Sequence, residues 1–493
     1  MIGARRTAPR LACGGIFILL GLSGPSCRVC GGASGLTKVV VDASGAGGEF
    51  RPLHGVNNGP IDVGGTVDLS AQHRALGLPS VRPHDAHWPN PDVVDIHALF
   101  PRPDADPARP ESYDFARTDD YLRAIAATGA TIVFRLGESI EHTSRRSRVD
   151  PPRDPERWAA VCVGIVRHYN EGWADGQNLD IRDWEVWNEP DNRPSCWTGT
   201  DDEYFRLYGA TARALKRRFP GLRVGGPSVG NVGRLAGGRL EPTPFVSGFL
   251  DYCEREAVPP DFFSWHLYCD DPRMLSETAR GVRGLLDRRG FARTASYLTE
   301  WNYLPDGDWS PVLPGGQGPA RERFYDRVGG AEGAAFAAAG LLLLQDGRVD
   351  RAHYYAGDTN PFGLFTRHGV PRKTYHAFRA FRSLLDTPAR LGVSGAPAGR
   401  MAVAAGADRN RGELTVLVVS RGDAGEVVDV TVEGMPWDGE ADFEVRLLDA
   451  RHDLEPVRGG RLHVGAIGMR QALEGPSVLL LTLKRVTSPP APR

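Results

Sequence analysis

Lysine is nearly absent from this chain. Only Lys38, Lys216, Lys373 and Lys484 occur, so almost all of the 59 basic residues are arginine. With 61 acidic residues the net charge is −2, and no basic excess exists to recruit nucleic acid. No apolar run reaches 18 uninterrupted residues, the length a membrane-spanning helix asks for. The nearest, Ala334 to Leu344, reads as a buried helix. No repeat of 20–50 residues is present, which excludes a solenoid. Gly 60 and Pro 38 follow no triplet pattern, which excludes collagen and points to a loop-rich globular chain. Global disorder is excluded by 10 Trp, 19 Phe and 13 Tyr.

Cysteine is also sparse. Of seven, Cys13, Cys27 and Cys30 fall in the first 33 residues. No pair has zinc spacing, so no metal site from cysteine is expected. Cys162 and Cys253 lie in helical patterns and read as buried thiols. Cys196 and Cys269 lie in loops and are open to either reading, free thiols or a disulfide. Asp92, Asp95, Asp104 and Asp106 match no EF-hand spacing.

Residues 1–33 read as a targeting segment. Arg5, Arg6 and Arg10 precede the apolar stretch Leu11 to Leu22, and small residues follow at Ser23, Gly24 and Ser26. This is the layout of a secretory signal, so the protein is expected to be exported. Cys27 is a weak candidate for a lipid anchor, and Arg5-Arg6 for a twin-arginine route.

From residue 34 to 387 short apolar runs alternate with helical patterns. Eight runs end in polar residues: Leu53–Asn57, Ser80–His84, Thr131–Arg135, Trp184–Glu189, Leu222–Gly226, Phe262–His266, Ala295–Glu300 and Arg351–Tyr355. Helical patterns cover 118–128, 154–171, 201–219, 244–257, 272–289, 330–345 and 373–385. Eight such units predict a (β/α)8 TIM barrel. The rival, a doubly wound sheet, would carry a Gly-rich phosphate loop after an early strand, and none stands there. From 388 to 487 the pattern is short β-type runs separated by turns, which predicts a C-terminal antiparallel β-sandwich. Residues 34–45 could add a strand to it. The Pro-rich tail, 488–493, is expected to be disordered.

Chemistry in such a barrel sits at the C-terminal ends of the strands. The fourth run ends in Asn188-Glu189-Pro190 and the seventh in Glu300-Trp301-Asn302. Strands four and seven lie across the barrel from each other, so the two carboxylates can face each other over the mouth. Glycoside hydrolysis needs such a pair, one as proton donor and one as nucleophile or water activator. The retaining and inverting routes differ in the gap, about 5–5.5 Å against about 6.5–9.5 Å.

The elements Trp184-Glu185-Val186-Trp187-Asn188-Glu189-Pro190 and Leu298-Thr299-Glu300-Trp301-Asn302 resemble the retaining glycosidases of clan A, and most of all glycoside hydrolase family 39, the family of β-xylosidases and α-L-iduronidases. The resemblance covers roughly residues 50 to 485. It implies Glu189 as acid/base and Glu300 as nucleophile. It implies that Arg82 and His84 match the family's Arg and His at the end of strand two, and that Asn188 bonds the sugar 2-OH. His266 and Tyr268 fall where the clan orients the nucleophile. Asp358 falls where the family often binds substrate, on a looser match. The long connection from His87 to Tyr113 departs from better-known members.

Trp301 could stack on a sugar face or belong to the core. Trp187 and Trp265 read as core, and Glu138 and Glu141 as residues that order their loop. Burial, and later the second carboxylate, predict that Glu189 is protonated at rest. The implied partner is a carbohydrate, with no cofactor. A β-xylosidase-like exo action is favoured. The alternatives are an endo-acting hydrolase of an exopolysaccharide or cell-wall glycan, and a non-catalytic glycan-binding protein on the same scaffold.

Overall fold

The alternation of strand and helix closes, in the computed structural model, into a barrel of eight parallel strands. Described are residues 36–45, 47–87, 93–422, 425–464 and 467–486, with Val63 as backbone only. The expectations for the targeting segment 1–33, for Cys27 and for the tail 488–493 lie outside these residues, as does Asp92.

The barrel strands are Gly55–Asn57, Ser80–Arg82, Thr131–Leu136, Asp183–Val186, Arg223–Val229, Phe262–Cys269, Ala295–Tyr303 and Arg351–Tyr354. They stand side by side in chain order, and the eighth pairs with the first to close the ring. Each sits where its apolar run predicts, with ends shifted by a few residues. Helix starts follow from the local sequence. Asp154 caps the helix Pro155–Glu171 by accepting from the backbone N–H of Glu156 and Arg157. Thr200 and Glu203 form a reciprocal capping box on the helix Asp201–Arg218.

The helix Ala331–Leu343 is apolar on every side and buried on every side. No single described helix is long and apolar enough to cross a membrane. One face of Ala331–Leu343 packs on the barrel and another on the sheets that follow. The helix Lys373–Leu385 packs beside it and precedes the first strand of those sheets, Ala389–Arg390.

Two sheets make the C-terminal region. One has six strands: Ala389–Arg390, Met401–Asp408, Glu413–Ser420, Ser477–Arg485, Glu440–Leu448 and Asp453–His463. The other has four: Gly392–Ser394, Leu36–Asp42, Glu426–Glu433 and Ile467–Leu473. The early strand Leu36–Asp42 pairs in parallel with Glu426–Glu433, so the sandwich is antiparallel everywhere except at this pair. A strand that arrives from the far N-terminus is not bound by hairpin geometry.

The six-stranded sheet explains two continuous apolar runs. Val416, Val418, Leu479 and Leu481 face the sandwich interior, while Leu417, Val419, Val478 and Leu480 face the barrel helices. Strands covered on both faces have no polar alternation to show. The opposite case is Asp453–His463, whose side chains are almost all exposed. Its sequence carries no apolar period, and no strand was expected there.

Candidate active site

The site is assembled by strand ends that aim side chains inward. Strand six pairs with strand seven with an irregularity between Trp265 and His266, so that His266 stands beside Glu300 and Tyr268 beside Asn302. Strand four delivers Glu189 through a tight turn. Trp187 and Glu189 both take positive φ, 72° and 44°, as does Ser228 at 56°. Such backbone costs about 1–3 kcal/mol per residue and persists where the surroundings enforce it. Here the Trp187 N–H donates to Leu136 O at 2.6 Å, its indole N–H to Cys196 O at 2.8 Å, and the Glu189 N–H to Ser228 O at 2.9 Å. Gly230 packs against the acid, since a Cβ there would lie 2.9 Å from Glu189 Oε1.

Arg82 is the hub beneath the two carboxylates. Its Nε donates to Glu185 Oε2 at 2.6 Å and its Nη1 to Glu300 Oε1 and Asn57 Oδ1, both at 2.9 Å. Its Nη2 donates to Asn188 Oδ1 at 2.7 Å and Ser228 Oγ at 2.8 Å. The Tyr268 hydroxyl donates to the other nucleophile oxygen, Glu300 Oε2, at 2.8 Å. Burial, then the Glu300 charge, push the Tyr268 phenol well above its usual range, so it stays a donor.

Glu189 is held from the opposite side. Its Oε1 lies 2.8 Å from His266 Nδ1, and its Oε2 accepts from Asn192 Nδ2 at 2.8 Å. Burial pushes this carboxyl up, but the His266 bond and charge and the Asn192 amide outweigh it and leave it below the ordinary value. Burial pushes His266 down, but Glu300 and then Glu189 outweigh that and leave it above the ordinary imidazole value. Ser228 Oγ takes Arg82 as a donor and can accept from His266 Nε2–H at 2.8 Å while donating to Asn188 Oδ1 at 3.3 Å. Both shifts favour the proton on the His266 side of the pair. The expectation of a protonated Glu189 counted burial and the second carboxylate, and the imidazole pulls the other way.

One oxygen of Glu189, one of Glu300 and a ring nitrogen of His266 all lie within 4.8 Å of one another. The two carboxylates border a cavity of about 750 Å³, whose polar floor also includes His84, Asn188 and Tyr355. His84 Nδ1 accepts from Arg135 Nε at 3.2 Å, which places the ring proton on Nε2, 3.5 Å from Glu300 Oε1. Asn188 gives its Oδ1 to Arg82 and Ser228, so its amide N–H groups are the part left for a ligand.

Trp301 is fully buried and does not border the cavity. Glu300 points inward, and the two-residue period of a strand sends Trp301 outward into the helix layer. There its ring lies 5.1 Å from that of Tyr354 and 6.4 Å from that of Phe336. Arg82 and His266 are buried below the cavity floor and act through the carboxylates rather than on a sugar. Asp358 is buried beside the cavity, where its carboxylate accepts from the Asn360 N–H at 3.0 Å. It orders the segment whose Asn360, Pro361 and Phe362 do line the cavity. Cys196 and Cys269 are free thiols. The Cys196 Sγ stands 3.8 Å from Glu189 Oε2, and the Cys269 Sγ donates to Asp271 O.

Burial, then the Asp62 charge, push Asp358 up to about 7. The folded chain thus holds this proton more tightly than the unfolded chain, whose Asp titrates near about 3.9. The stability contributed is full below that value and is lost as pH rises through about 7. Asp358→Asn keeps the acceptor and removes the charge. Its thermal midpoint should gain on the wild type progressively between pH 5 and pH 7 and hold that gain at pH 8. A gain independent of pH would contradict this reading.

Several functional residues carried no signal strong enough to single them out. Glu185 lies in an apolar strand, and only the bond it accepts from Arg82 gives it a purpose. Asp85 accepts from the Tyr355 hydroxyl at 3.3 Å and lies 3.3 Å from His84 Nε2. Glu138 and Glu141 order their loops, as expected. Glu141 accepts from the backbone N–H of Ser147, Arg148 and Val149, and Glu138 from that of His97. A hairpin, Gly233–Ala236 with Arg239–Pro242, walls a second cavity of about 560 Å³ next to the first. No periodicity announced it.

A closed (β/α)8 barrel with two facing carboxylates, each braced by its own donors, defines the class of site that works on glycosidic bonds. The family described as glycosyl hydrolases family 39 matches residues 94–391, and the chain belongs to that family. A β-xylosidase of Geobacillus stearothermophilus is 30% identical over 266 residues, 49% of this chain and 49% of that protein. The chain thus spans about half the length of the curated relatives it matches. A glucosidase from Croceicoccus marinus superposes with a TM-score of 0.75 at 28% identity, over 92% of this chain and 100% of that one. The fold is shared with the family 39 enzyme of Xanthomonas axonopodis pv. citri, with a TM-score of 0.70 at 19% identity over 94% of this chain and 100% of that one.

Proposed function

We propose that the protein is a retaining, exo-acting glycosidase of the β-xylosidase type. The observation that carries this is the carboxylate pair, with oxygens of Glu189 and Glu300 within 4.8 Å of each other. That gap suits direct attack by one carboxylate, and an inverting pair would leave room for a water between them. Glu300 attacks the anomeric carbon, with Arg82 and Tyr268 fixing its two oxygens. Glu189 protonates the leaving oxygen with the proton it shares with His266, then takes a proton from the water that releases the sugar. Asn188 offers its amide to the sugar 2-OH. The size of the catalytic cavity, about 750 Å³, supports exo action, because it lies within the range of small-molecule sites, about 300–1,000 Å³. The relatives named β-xylosidases support the sugar.

The test is hydrolysis of a panel of aryl glycosides, with the anomer of the first-formed product read by NMR. The β-xyloside should be cleaved with retention. Cleavage of polysaccharide alone would favour endo action, and inversion would remove the nucleophile role from Glu300. Export belongs to the same proposal and is supported by the arginines and apolar run of residues 1–33. A chain that stays inside the cell with residues 1–33 still attached would contradict it.

A further inference from the structure

We propose that the outer half of the catalytic cavity binds a leaving group with an extended apolar face, an apolar aglycone rather than a second sugar. The inference rests on the exo-glycosidase reading, in which everything beyond the reacting ring belongs to the leaving group.

Among the described residues only five large hydrophobic side chains are exposed. Two of them, Trp309 at 37% and Leu313 at 53%, stand on one segment after strand seven, and both line the cavity. Val312, Tyr325 and Phe362 extend the same wall. Large exposed apolar groups gathered at one place mark a binding surface, whereas scattered ones mark nothing.

The segment is built to present them. Arg321, on the helix Pro319–Gly329, donates to the carbonyls of Pro311 at 3.0 Å, Val312 at 3.4 Å and Leu313 at 3.1 Å. Asp308 accepts from the N–H and hydroxyl of Ser310 at 2.8 and 2.7 Å. The loop's polar backbone is thus engaged by Arg321, and a small core of Leu304, Phe324 and Val328 supports it from behind. The apolar surface begins at the reacting centre. The Trp309 ring lies 5.1 Å from that of Tyr268, the residue bonded to Glu300, and 6.1 Å from that of Phe362. Phe362 continues to Tyr325 at 5.3 Å.

The chemistry of this wall selects between occupants. A sugar stacks on an aromatic ring but needs hydrogen-bond partners at its edges, and Val312 and Leu313 offer none. Hydroxyls brought against them would lose water without replacement. An aryl, polycyclic or alkyl group covers all five side chains and gains from each.

The test compares three β-D-xylosides, with methyl, 2-naphthyl and xylosyl leaving groups, in the wild type, Trp309→Ala and Leu313→Ser. Binding of the corresponding 1-thio-xylosides is measured by calorimetry alongside. The naphthyl compounds should bind about tenfold or more tightly than the xylosyl ones, the discrimination an apolar pocket can supply. Both variants should lose most of that advantage, with the loss in KM rather than kcat. Xylobiose cleaved and bound as well as the naphthyl xyloside, or variants that weaken all three equally, would overturn the inference and leave the glycosidase reading standing. Trp309-dependent binding of the naphthyl thio-xyloside without hydrolysis of any xyloside would support the aglycone site and overturn the β-xylosidase reading. Neither binding nor hydrolysis would overturn both.

Discussion

Glu300→Ala should lower kcat/KM on an aryl glycoside by about 10⁴- to 10⁶-fold, the scale at which a nucleophile's removal leaves only binding and electrostatics. Nothing nearby can replace it. Tyr268 keeps its proton, and Glu189 belongs to His266 and Asn192. The substitution also leaves a carboxylate-sized space beside the Arg82 guanidinium, open to a small anion. Azide should therefore restore part of the turnover and give a glycosyl azide of inverted anomeric configuration. Glu189→Ala should differ in kind. Its loss should be severe for poor leaving groups and slight for dinitrophenolate, which leaves without a proton. Steady-state rates across leaving groups of graded acidity check both. A Glu300→Ala variant that keeps a tenth of wild-type activity would place the chemistry elsewhere.

Arg82→Met should cost both stability and turnover. The guanidinium is fully buried and meets two carboxylates, Glu185 and Glu300, at 2.6 and 2.9 Å. Removing one partner from a buried ion pair costs about 3–5 kcal/mol, because the other charge is left in a medium that cannot solvate it. Here two are left. The same change frees Asn188 and Ser228 from their shared donor, so the Asn188 amide and the His266 support both loosen. Arg82→Lys should recover charge but not geometry, since one ammonium cannot span five acceptors. The expected order in both urea stability and kcat is wild type, then Lys, then Met. Unchanged stability in Arg82→Met would mean that the buried carboxylates are not charged as described.

Much of the fold was legible, and for a physical reason. Each barrel strand carries an apolar run, because it is buried along most of its length, and polar residues gather at or just after its end, where the mouth opens. Glu189 and Glu300 stood out because a carboxylate directly after such a run has no packing purpose. What lay hidden depended on contacts distant in sequence. Arg82 was placed near the nucleophile, but its five acceptors come from four other strands or the turns that follow them. The downward shift of Glu189 turned on His266, a residue 77 positions away. Trp301 is the instructive miss. Strand alternation already held its answer, since a residue next to an inward-facing Glu must face outward. The aromatic wall at Trp309 was not foreseen, because its loop has no period and its meaning comes only from the cavity it borders.

The central claim is that Glu300 forms a covalent bond to the substrate's anomeric carbon while Glu189 manages the proton. The most direct test is inactivation with a 2-deoxy-2-fluoro-β-xyloside carrying a dinitrophenyl leaving group, followed by peptide mass spectrometry. The fluorine destabilises both transition states, while the good leaving group keeps the first step feasible, so the intermediate accumulates. The account predicts one fluoroxylosyl group per chain, on Glu300. A label on any other residue, or none in an enzyme that cleaves the unfluorinated xyloside, would contradict it.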